Sequence, residues 1–250
     1  MAATSQGSLN VLASHSLSVA PHVRACRVDD QVILLDLFHG RYHGVAASRA
    51  AALSQLVLGW PAAPNPPAVP MARVDQRDSV APLLKRGLVI QGPCQPTSLG
   101  RVPEPSAAVD GWIESGAQDI GARRLLQFVR GAAYSAVRLR TCTLQRVARS
   151  VEFRRLVHAG PDPEPVDRET LQSAVSAYRR TRPLVMSSKD RCLLDSLTLV
   201  EFLAAERLFP HWVIGVKTRP FGAHAWVQMG ALVLNDRLER VRRFTPILVA

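Results

Sequence analysis

Several features that would assign the chain to a common protein class are missing from its 250 residues. No stretch of about 18 or more apolar residues occurs, which excludes a membrane-spanning helix. The segment Met1–Pro21 has no basic flank ahead of an apolar core, so we expect no secretory signal. The four cysteines are widely spaced and form no C-x-x-C pair, which disfavours a zinc cluster or a disulfide framework. We therefore expect a cytoplasmic protein with reduced thiols.

Motifs for nucleotides, serine catalysis and metals are also absent or weak. The sequence contains no G-x-x-x-x-G-K-[ST] loop and no G-x-S-x-G turn, so it indicates neither a nucleotide site nor a serine hydrolase. His39 and His43 are four residues apart, but Gly40 between them favours a hairpin turn over a metal-binding helix face. We expect no metal and no cofactor.

Acidic residues are few compared with basic ones. The formal net charge is +11, and 28 of the 31 Lys and Arg residues are Arg. Nine of these arginines lie in residues 122–157, which hold a single acid, Glu152. The helical spacing there predicts a solvated helix face, with a docking face for a partner protein as the alternative. Nucleic acid is disfavoured, because aromatic residues hardly interleave with the arginines.

Proline and glycine divide the chain into two modules. Its 47% hydrophobic content is enough for a sizeable core, and its length allows one large domain or two small ones. Pro61–Pro70 holds five prolines and predicts a loop, and the stretch 92–116 has the composition of an interdomain linker. The predicted segments are a flexible tail (1–19), a first domain (20–92), a linker (93–117) and a second domain (118–250).

The first domain is predicted to begin with strands and to continue with helices. Ser48 is a suitable N-cap for a helix that ends at Leu58, and Pro82 fits the first turn of the next helix. The predicted strands are His22–Val28, Gln31–Leu37, Arg41–Val45 and Leu88–Ile90, and the predicted helices are Ser48–Leu58 and Asp78–Arg86.

The second domain is predicted to place helices before an antiparallel sheet, which makes the chain α+β. Apolar residues recur at helical spacing from Ala122 onwards, and Pro183 is expected to stop the following helix at Arg180. The predicted elements are a helical stretch at Ala122–Val157, helices at Asp167–Arg180 and Arg191–Arg207, and strands at Trp212–Thr218, His224–Gln228 and Leu232–Leu234.

Cys192 lies in the first turn of the helix predicted after Ser187–Ser188. The positive end of a helix dipole lowers the pKa of a thiol and favours the nucleophilic thiolate, and Arg191 adds positive charge nearby. A buried structural cysteine is the alternative, since free cysteines are among the most buried residues. The residues downstream favour the nucleophile.

His224 opens one predicted strand and Asp236 ends the next, with a turn around Gly230 between them. A loop with an odd number of residues would place the two side chains opposite each other, with Cβ atoms about 4.5–5.5 Å apart. In that position a carboxylate orients an imidazole, which in turn deprotonates a thiol. A two-residue Gly230–Ala231 loop would put them on opposite faces, and Asn235 is expected to point away from His224.

A longer series of motifs accompanies this pattern. In chain order they are Arg182–Pro183–Leu184, Cys192–Leu193–Leu194–Asp195–Ser196–Leu197, Val213–Ile214–Gly215–Val216, Pro220–Phe221, His224–Ala225–Trp226–Val227 and Asn235–Asp236. Over residues 168–240 the chain resembles the leader peptidase, or B protein, of lasso peptide biosynthesis, within the transglutaminase-like branch of the papain-type cysteine proteases. The family often has an acidic residue two positions after the Trp, where this chain has Gln228.

The first domain carries a second resemblance. The strand Gln31–Leu37, the turn at Gly40 and the segment Arg41–Val45 before a helix resemble a RiPP recognition element, a winged-helix-like domain of three strands and three helices similar to the pyrroloquinoline-quinone peptide chaperone. The resemblance implies a fused protein whose leader peptide adds as a strand beside Arg41–Val45, against the helix Asp78–Arg86. The implied leader-binding residues are Arg41, Tyr42, His43, Val45 and Leu83.

Together these resemblances imply a cysteine protease that removes the leader of a ribosomally made lasso peptide precursor. Cys192 would be the nucleophile, His224 the general base and then acid, and Asp236 the residue that orients His224. The backbone N–H of Cys192 would contribute to an oxyanion hole.

The implied partners are the leader region of the precursor and an asparagine-synthetase-like macrolactam synthetase. The resemblance also implies ATP coupling in some members, although this sequence has no nucleotide motif. Two other functions stay open: a transglutaminase-type acyl transferase with the same triad, and a non-catalytic peptide- or DNA-binding protein with an inactive protease fold.

Overall fold

The computed structural model describes residues 17–61, 73–94, 100, 102–109, 121–160, 166–185 and 192–250. The chain divides into two compact units, Met1–Leu99 and Gly100–Ala250, and both mix helices with strands. Three sequence predictions fall largely or wholly outside the described residues: the tail, the proline loop, and Ser187–Ser188 with Arg191 ahead of the Cys192 helix.

The first unit contains two small sheets and two helices among its described residues. Its elements are β1 (Leu17–Val19), β2 (Val23–Val28), β3 (Gln31–Asp36), β4 (Arg41–Val45), α1 (Ala47–Leu53), β5 (Val57–Leu58), α2 (Arg73–Lys85) and β6 (Val89–Gln91). One sheet is the antiparallel meander β2-β3-β4. In the other, of order β5-β1-β6, β1 is parallel to β5 and antiparallel to β6.

Alternate residues of β3 and the inner faces of both helices form the core of the first unit. Leu34 and Leu53 are fully buried, and Leu83 of α2 packs into the same cluster. Trp60 also packs in this core. Its Nε1–H donates to the Ala50 carbonyl over 3.1 Å, so the one polar atom of the buried indole has a hydrogen-bond partner.

The first unit departs from the sequence prediction at its helices. Helix α1 begins after Ala46, which makes no side-chain cap, so the prediction of Ser48 as N-cap is wrong. The helix ends at Leu53 rather than Leu58, because Val57–Leu58 pairs with β1. Helix α2 starts at Arg73, so Pro82 lies inside it rather than in its first turn. The described part has six strands and two helices, where the resemblance implied three of each.

The second unit combines helices with one mixed sheet. Its described elements are β7 (Ala107–Ala108), α3 (Ala122–Thr141), α4 (Leu144–Ala159), α5 (Arg168–Val185), α6 (Cys192–Ala205), β8 (His211–Thr218), β9 (Phe221–Met229), β10 (Leu232–Val233), α7 (Leu238–Val241) and β11 (Thr245–Val249). The strand order is β11-β8-β9-β10-β7. Only the β10–β7 pair in this sheet is parallel.

Helix α6 is the central helix of the second unit. It is apolar on nearly all sides, and Leu197, Leu199 and Phe202 are fully buried. Trp212 Nε1 of β8 donates to the Ser196 hydroxyl over 2.8 Å and ties the helix to the sheet. Packing on all sides fixes the helix, and therefore fixes the position of its first residue, Cys192, relative to β9.

Three helical predictions in the second unit change. The single stretch Ala122–Val157 is two helices, because Thr143 stops the first by capping α4: its Oγ1 accepts from the Arg146 N–H at 3.4 Å. Helix α5 continues through Pro183 to Val185 instead of ending at Arg180. Helix α7 and strand β11 have no counterpart in the sequence prediction.

Residues 102–109 of the predicted linker belong to the second unit. Strand β7 pairs with β10, and the Gln228 Nε2 donates to the Pro103 carbonyl over 2.7 Å. The guanidinium of Arg179 donates to the Val109 carbonyl at 3.1 Å, and the Val109 side chain is buried. Because these contacts are to backbone and to a two-residue strand, the composition of the segment did not reveal them.

The Arg-rich helices α3 and α4 carry apolar side chains on their surface as well as charges. Arg154 binds both carboxylate oxygens of Glu201 at 2.7 and 2.8 Å, with Arg138 at 3.5 Å. Leu126, Val137 and Phe153 are 59%, 57% and 69% exposed, however, so the predicted solvated face is partly apolar. None of the described helices is both long enough and apolar enough to cross a membrane.

We predict that Gly215→Ala destabilises the second unit. A Cβ at Gly215 would lie 2.7 Å from Trp226 Cζ3 and 2.9 Å from Phe244 Cβ, closer than packed atoms approach. The expected loss is about 1–3 kcal/mol, measured as the free energy of unfolding in urea.

The matched control is Gly131→Ala in α3, where a Cβ would meet its nearest neighbour at an ordinary 3.5 Å. Its stability should stay equal or rise by about 0.4–1 kcal/mol, because Ala restricts the unfolded chain. Equal stability of the two variants would contradict the packing around Gly215.

Candidate active site

Cys192 is the first residue of α6, and its thiol is half-buried against strand β9. A hydrogen bond with the His224 ring is the main cause that lowers the pKa of the Cys192 thiol. Burial opposes this shift, and the backbone N–H groups of Ala225 and Leu193 add to it. The position at a helix start contributes in the same direction.

His224 lies on β9 and is only 6% exposed. Its Nε2 is hydrogen-bonded to Asp236 Oδ2, which leaves Nδ1 for the thiol. Burial disfavours the imidazolium, but the hydrogen bonds with Asp236 and Cys192 outweigh it and raise the pKa of His224 to about 9. The rings of Trp226 and Phe244 flank the imidazole, with centroids 6.3 and 5.3 Å away.

Asp236 is held by three groups. Burial would raise the pKa of its carboxyl, but the hydrogen bond from His224 and the backbone N–H of Arg237 at 2.8 Å bring it below the ordinary value. Arg240, whose Nε lies 3.7 Å from Oδ2, adds a favourable charge. The carboxyl is therefore ionised and faces the imidazole.

The hairpin register differs from the odd-loop prediction. Leu232 pairs with Met229, so the turn is the two-residue Gly230–Ala231 loop, which in a continued ladder would put His224 and Asp236 on opposite faces. The ladder ends at Val233, however, and the chain bends before Asp236. This bend, rather than the strand register, brings the carboxylate to the imidazole.

One hydrogen-bonded chain thus links Cys192, His224 and Asp236, and each residue shifts the pKa of its neighbour. A lowered thiol pKa beside a raised imidazole pKa favours a thiolate–imidazolium pair near neutral pH. Cys26 is the opposite case, because burial raises its thiol pKa to about 12. Chemically, the arrangement supplies a nucleophile, a proton donor and acceptor, and an orienting carboxylate.

Several neighbours of this group were not singled out by sequence reasoning. Phe244 and Arg240 come from the α7–β11 region, which the sequence did not predict. Gln228, which occupies the acidic position of the resembled family, is buried and accepts from Trp226 Nε1 at 3.0 Å. Its amide also donates to the Gly230 carbonyl, so Gln228 holds the hairpin turn.

The residues expected to bind a leader peptide occupy different environments. Arg41 is exposed, and Tyr42 and His43 are half-buried, all on the edge strand β4. Val45 and Leu83 are each 5% exposed and pack in the core of the first unit, so their side chains are covered. The contact of all five residues with a leader peptide stays a prediction.

His39, in the turn between β3 and β4, makes a local contact. His39 Nδ1 lies 2.6 Å from Asp36 Oδ2, and the Asp36 carboxylate also caps two backbone N–H groups of the turn. Within the described part of the chain, no group of three or more His, Cys, Asp or Glu residues is arranged to hold a metal ion.

We predict that iodoacetamide alkylates Cys192 with a pH midpoint below the ordinary thiol pKa of about 8.5. The pair of Cys192 thiolate and His224 imidazolium should form above the lowered pKa of the thiol. It should be lost as His224 deprotonates near pH 9. Asp236→Asn should move the midpoint upward, because it removes the charge that favours the imidazolium.

Glu239→Gln is the control, since it removes an exposed carboxylate three residues from Asp236 without touching His224. Peptide mass spectrometry of labelled protein follows each thiol separately. A Cys192 midpoint equal to those of Cys94 and Cys142, or a midpoint unmoved by Asp236→Asn, would contradict the ion pair.

Comparisons with known proteins bear on the second unit. Residues 119–249 match the model of the transglutaminase-like superfamily, and these residues make up about half of the chain. The chain is also similar to the microcin J25-processing protein McjB of Escherichia coli, with 44% identity over 48 residues. That stretch covers 19% of this chain and 23% of McjB, and no solved structure gives a significant match.

The family match spans helices α3–α6 and most of the sheet, including all three residues of the hydrogen-bonded chain. On that match, this chain belongs to the transglutaminase-like superfamily.

Proposed function

We propose that the protein is a cysteine protease that removes the leader from a lasso peptide precursor. The observation that carries the proposal is the Cys192 thiol at the start of α6, hydrogen-bonded to a buried His224–Asp236 pair. The family match supports thiol chemistry, and the partial similarity to a protein named for processing microcin J25 supports a peptide precursor as substrate.

The proposed reaction begins with the Cys192 thiolate attacking the carbonyl carbon of the last leader residue. The resulting oxyanion would be stabilised by the backbone N–H of Cys192, because N–H groups at the start of a helix can bind an anion. The His224 imidazolium then gives its proton to the leaving amine, and the core peptide departs with a free N-terminus.

The second half of the reaction releases the leader. A thioester then joins the leader carbonyl to Cys192, and neutral His224 takes a proton from an attacking water molecule. The thioester collapses to a leader carboxylate and the thiolate. Asp236 stays ionised throughout, holds the imidazole tautomer with Nδ1 toward the thiol, and stabilises the imidazolium in both halves.

Leader recognition is proposed for the first unit. Strand β4 is an edge of the β2-β3-β4 sheet, and it pairs with β3 alone among the described residues. An edge strand offers backbone N–H and C=O groups to an added strand. The exposed side chain of Arg41 and the half-buried rings of Tyr42 and His43 would then contact the leader.

The released amine defines the proposed downstream partner. A macrolactam synthetase of the asparagine-synthetase type would consume the free N-terminus, so the protease and the synthetase would act on one precursor in sequence. A short precursor reading frame and a synthetase gene beside the gene for this chain would support that assignment and would supply the substrate for the following tests.

We predict that Cys192→Ala abolishes cleavage of that precursor, while Cys142→Ala, a half-buried thiol outside the site, keeps full activity. The readout is mass spectrometry of the products. Two fragments whose masses sum to the precursor plus water show hydrolysis. Loss of ammonia with a new amide shows acyl transfer, and cleavage by Cys192→Ala would overturn the assignment of the nucleophile.

We predict that a proline in β4 weakens leader binding by the full-length chain. N–H groups of successive residues in an antiparallel edge strand point alternately to the neighbouring strand and to the open edge. One of the variants Tyr42→Pro and His43→Pro therefore removes an outward N–H, and the other removes an N–H directed at β3.

Fluorescence polarisation of a labelled leader peptide, together with thermal melting, separates the two effects. We expect both variants to lose affinity, and the variant with the inward N–H to lose melting temperature as well. Alkylation of Cys192 should be unchanged in both. Wild-type affinity in both variants would place the leader elsewhere.

A further inference from the structure

Three residues from the sequence motifs, beyond the catalytic group, meet in one cluster. Arg182, Asp195 and Asn235 come from α5, α6 and the bend after β10, and they are separated by 13 and 40 positions. Asp195 is at the centre of the cluster. It lies in the first turn of α6, three residues after Cys192, and is 7% exposed.

One side of the Asp195 carboxylate faces helix α5. Its Oδ1 accepts from the Arg182 Nε at 2.5 Å and from the Tyr178 hydroxyl at 3.0 Å. The Tyr178 hydroxyl also lies 2.8 Å from the backbone carbonyl of Asp195, and its ring is buried. These contacts hold the first turn of α6 against α5.

The other side of the carboxylate faces the segment that carries Asp236. Asn235 Nδ2 approaches Asp195 Oδ2 at 3.5 Å, and Asn235 Oδ1 accepts from the Val227 N–H at 2.9 Å. Strand β10 ends at Val233, and one further backbone hydrogen bond to β9 runs from the Leu234 N–H to the Val227 carbonyl at 2.9 Å, ahead of Asn235 and Asp236. Asn235 contacts Val227 and Asp195, and so links the bend to both β9 and α6.

We propose that Asp195 is a positioning residue, which through Asn235 fixes the distance between the start of α6, with Cys192, and the bend that delivers Asp236 to His224. The inference rests on the proposed function in one respect, because the distance matters for catalysis only if these three residues react. A buried carboxylate is costly unless it is fully paired, and here the partners lie on α5, against which the first turn of α6 is held, and on the bend that carries Asp236.

The chemistry requires a carboxylate at this position. Donors approach both oxygens: Tyr178 and Arg182 on one side and Asn235 on the other. An amide has a single acceptor oxygen, so Asp195→Asn can serve only one of the two sides and turns an N–H group toward the other. The substitution keeps the volume of the side chain and leaves no cavity.

The experiment is an exchange of the two polar groups in the full-length chain. Asp195→Asn breaks the contact with Asn235, and Asn235→Asp places two carboxylates face to face while an oxygen remains for the Val227 N–H. The double variant Asp195→Asn/Asn235→Asp restores an N–H···O contact with the roles exchanged. An oxygen is then left for Tyr178 and Arg182.

The readouts are kcat and KM for the precursor, the pH midpoint of Cys192 alkylation, and the melting temperature. Each single variant should lower kcat roughly 10- to 100-fold with KM unchanged, since misplacing a reacting group by about 1 Å costs up to 10²-fold. Each should also raise the alkylation midpoint, because a displaced imidazole no longer favours the thiolate. The double variant should recover most of both losses.

Glu201→Gln is the matched control. Glu201 is the other buried carboxylate of α6 and is also paired with arginines, but its partners Arg154 and Arg138 lie on α4 and α3. It should lower the melting temperature without moving the alkylation midpoint. The charged groups next to the thiol and imidazole, which are Asp236 and, beside it, Arg240, are unchanged in it.

The results separate this inference from the proposed function. If Asp195→Asn and Asn235→Asp lower only the melting temperature, as Glu201→Gln does, or if the double variant is no better than the singles, Asp195 is not a positioning residue. Asn235→Asp provides the same test if Asp195→Asn does not fold. A wild-type chain that leaves the precursor intact but alkylates at a low midpoint overturns the proposed substrate, and the alkylation arm still tests Asp195.

Discussion

The hydrogen bond between the buried His224 ring and the Asp236 carboxylate is the contact on which the chemistry of the second unit depends. An imidazole that is 6% exposed would be neutral near pH 7 if burial acted alone. The ionised carboxylate reverses this preference, and the His224 ring in turn stabilises the thiolate at the start of α6. Burying the charged form of Cys192, His224 or Asp236 alone would be costly, but together the three charges stabilise one another. The sheet and the central helix hold that set together.

The sequence predicted the parts of this site better than it predicted their junctions. Helix α6 and strands β8 and β9 are long and strongly patterned, and their predicted positions agree with the structure to within a few residues. The contact between His224 and Asp236 was expected for the wrong geometric reason. Its origin is a bend after a two-residue strand, and neither hydrophobic period nor turn composition encodes where a ladder stops.

Other departures share a physical cause: short or irregular backbone that is fixed by tertiary contacts. Pro183 sits in α5, which nevertheless continues to Val185, although an isolated helix would favour a stop there. The role of Asn235 depends on Val227 and Asp195, which are 8 and 40 positions away. In the first unit, Val57–Leu58 is a strand only because β1 lies beside it. Local propensity does not encode such partners, and the packing of Leu83 in the core of the first unit likewise depends on residues that are distant in sequence.

Both units have an edge strand of five residues among the described parts of the chain. In the first unit, β4 forms an edge of the β2-β3-β4 sheet, and in the second unit β11 forms an edge beside β8. The short strand β10 is internal instead, because β7, from the segment ahead of the helices, covers its other side. An edge strand can accept an added strand, whereas a strand paired on both sides cannot. The edge position of β4 therefore permits leader binding without by itself assigning it.

Strand β7 also determines where a fragment that contains the second unit can begin. A fragment beginning at residue 118, the boundary that composition favours, would lack β7 and the buried Val109, and it would leave the Gln228 amide without the Pro103 carbonyl. It would expose the polar backbone of β10 and invite self-association through that edge. A fragment that begins near residue 100 retains all of these contacts. The smallest autonomous form of the second unit therefore starts about twenty residues ahead of helix α3.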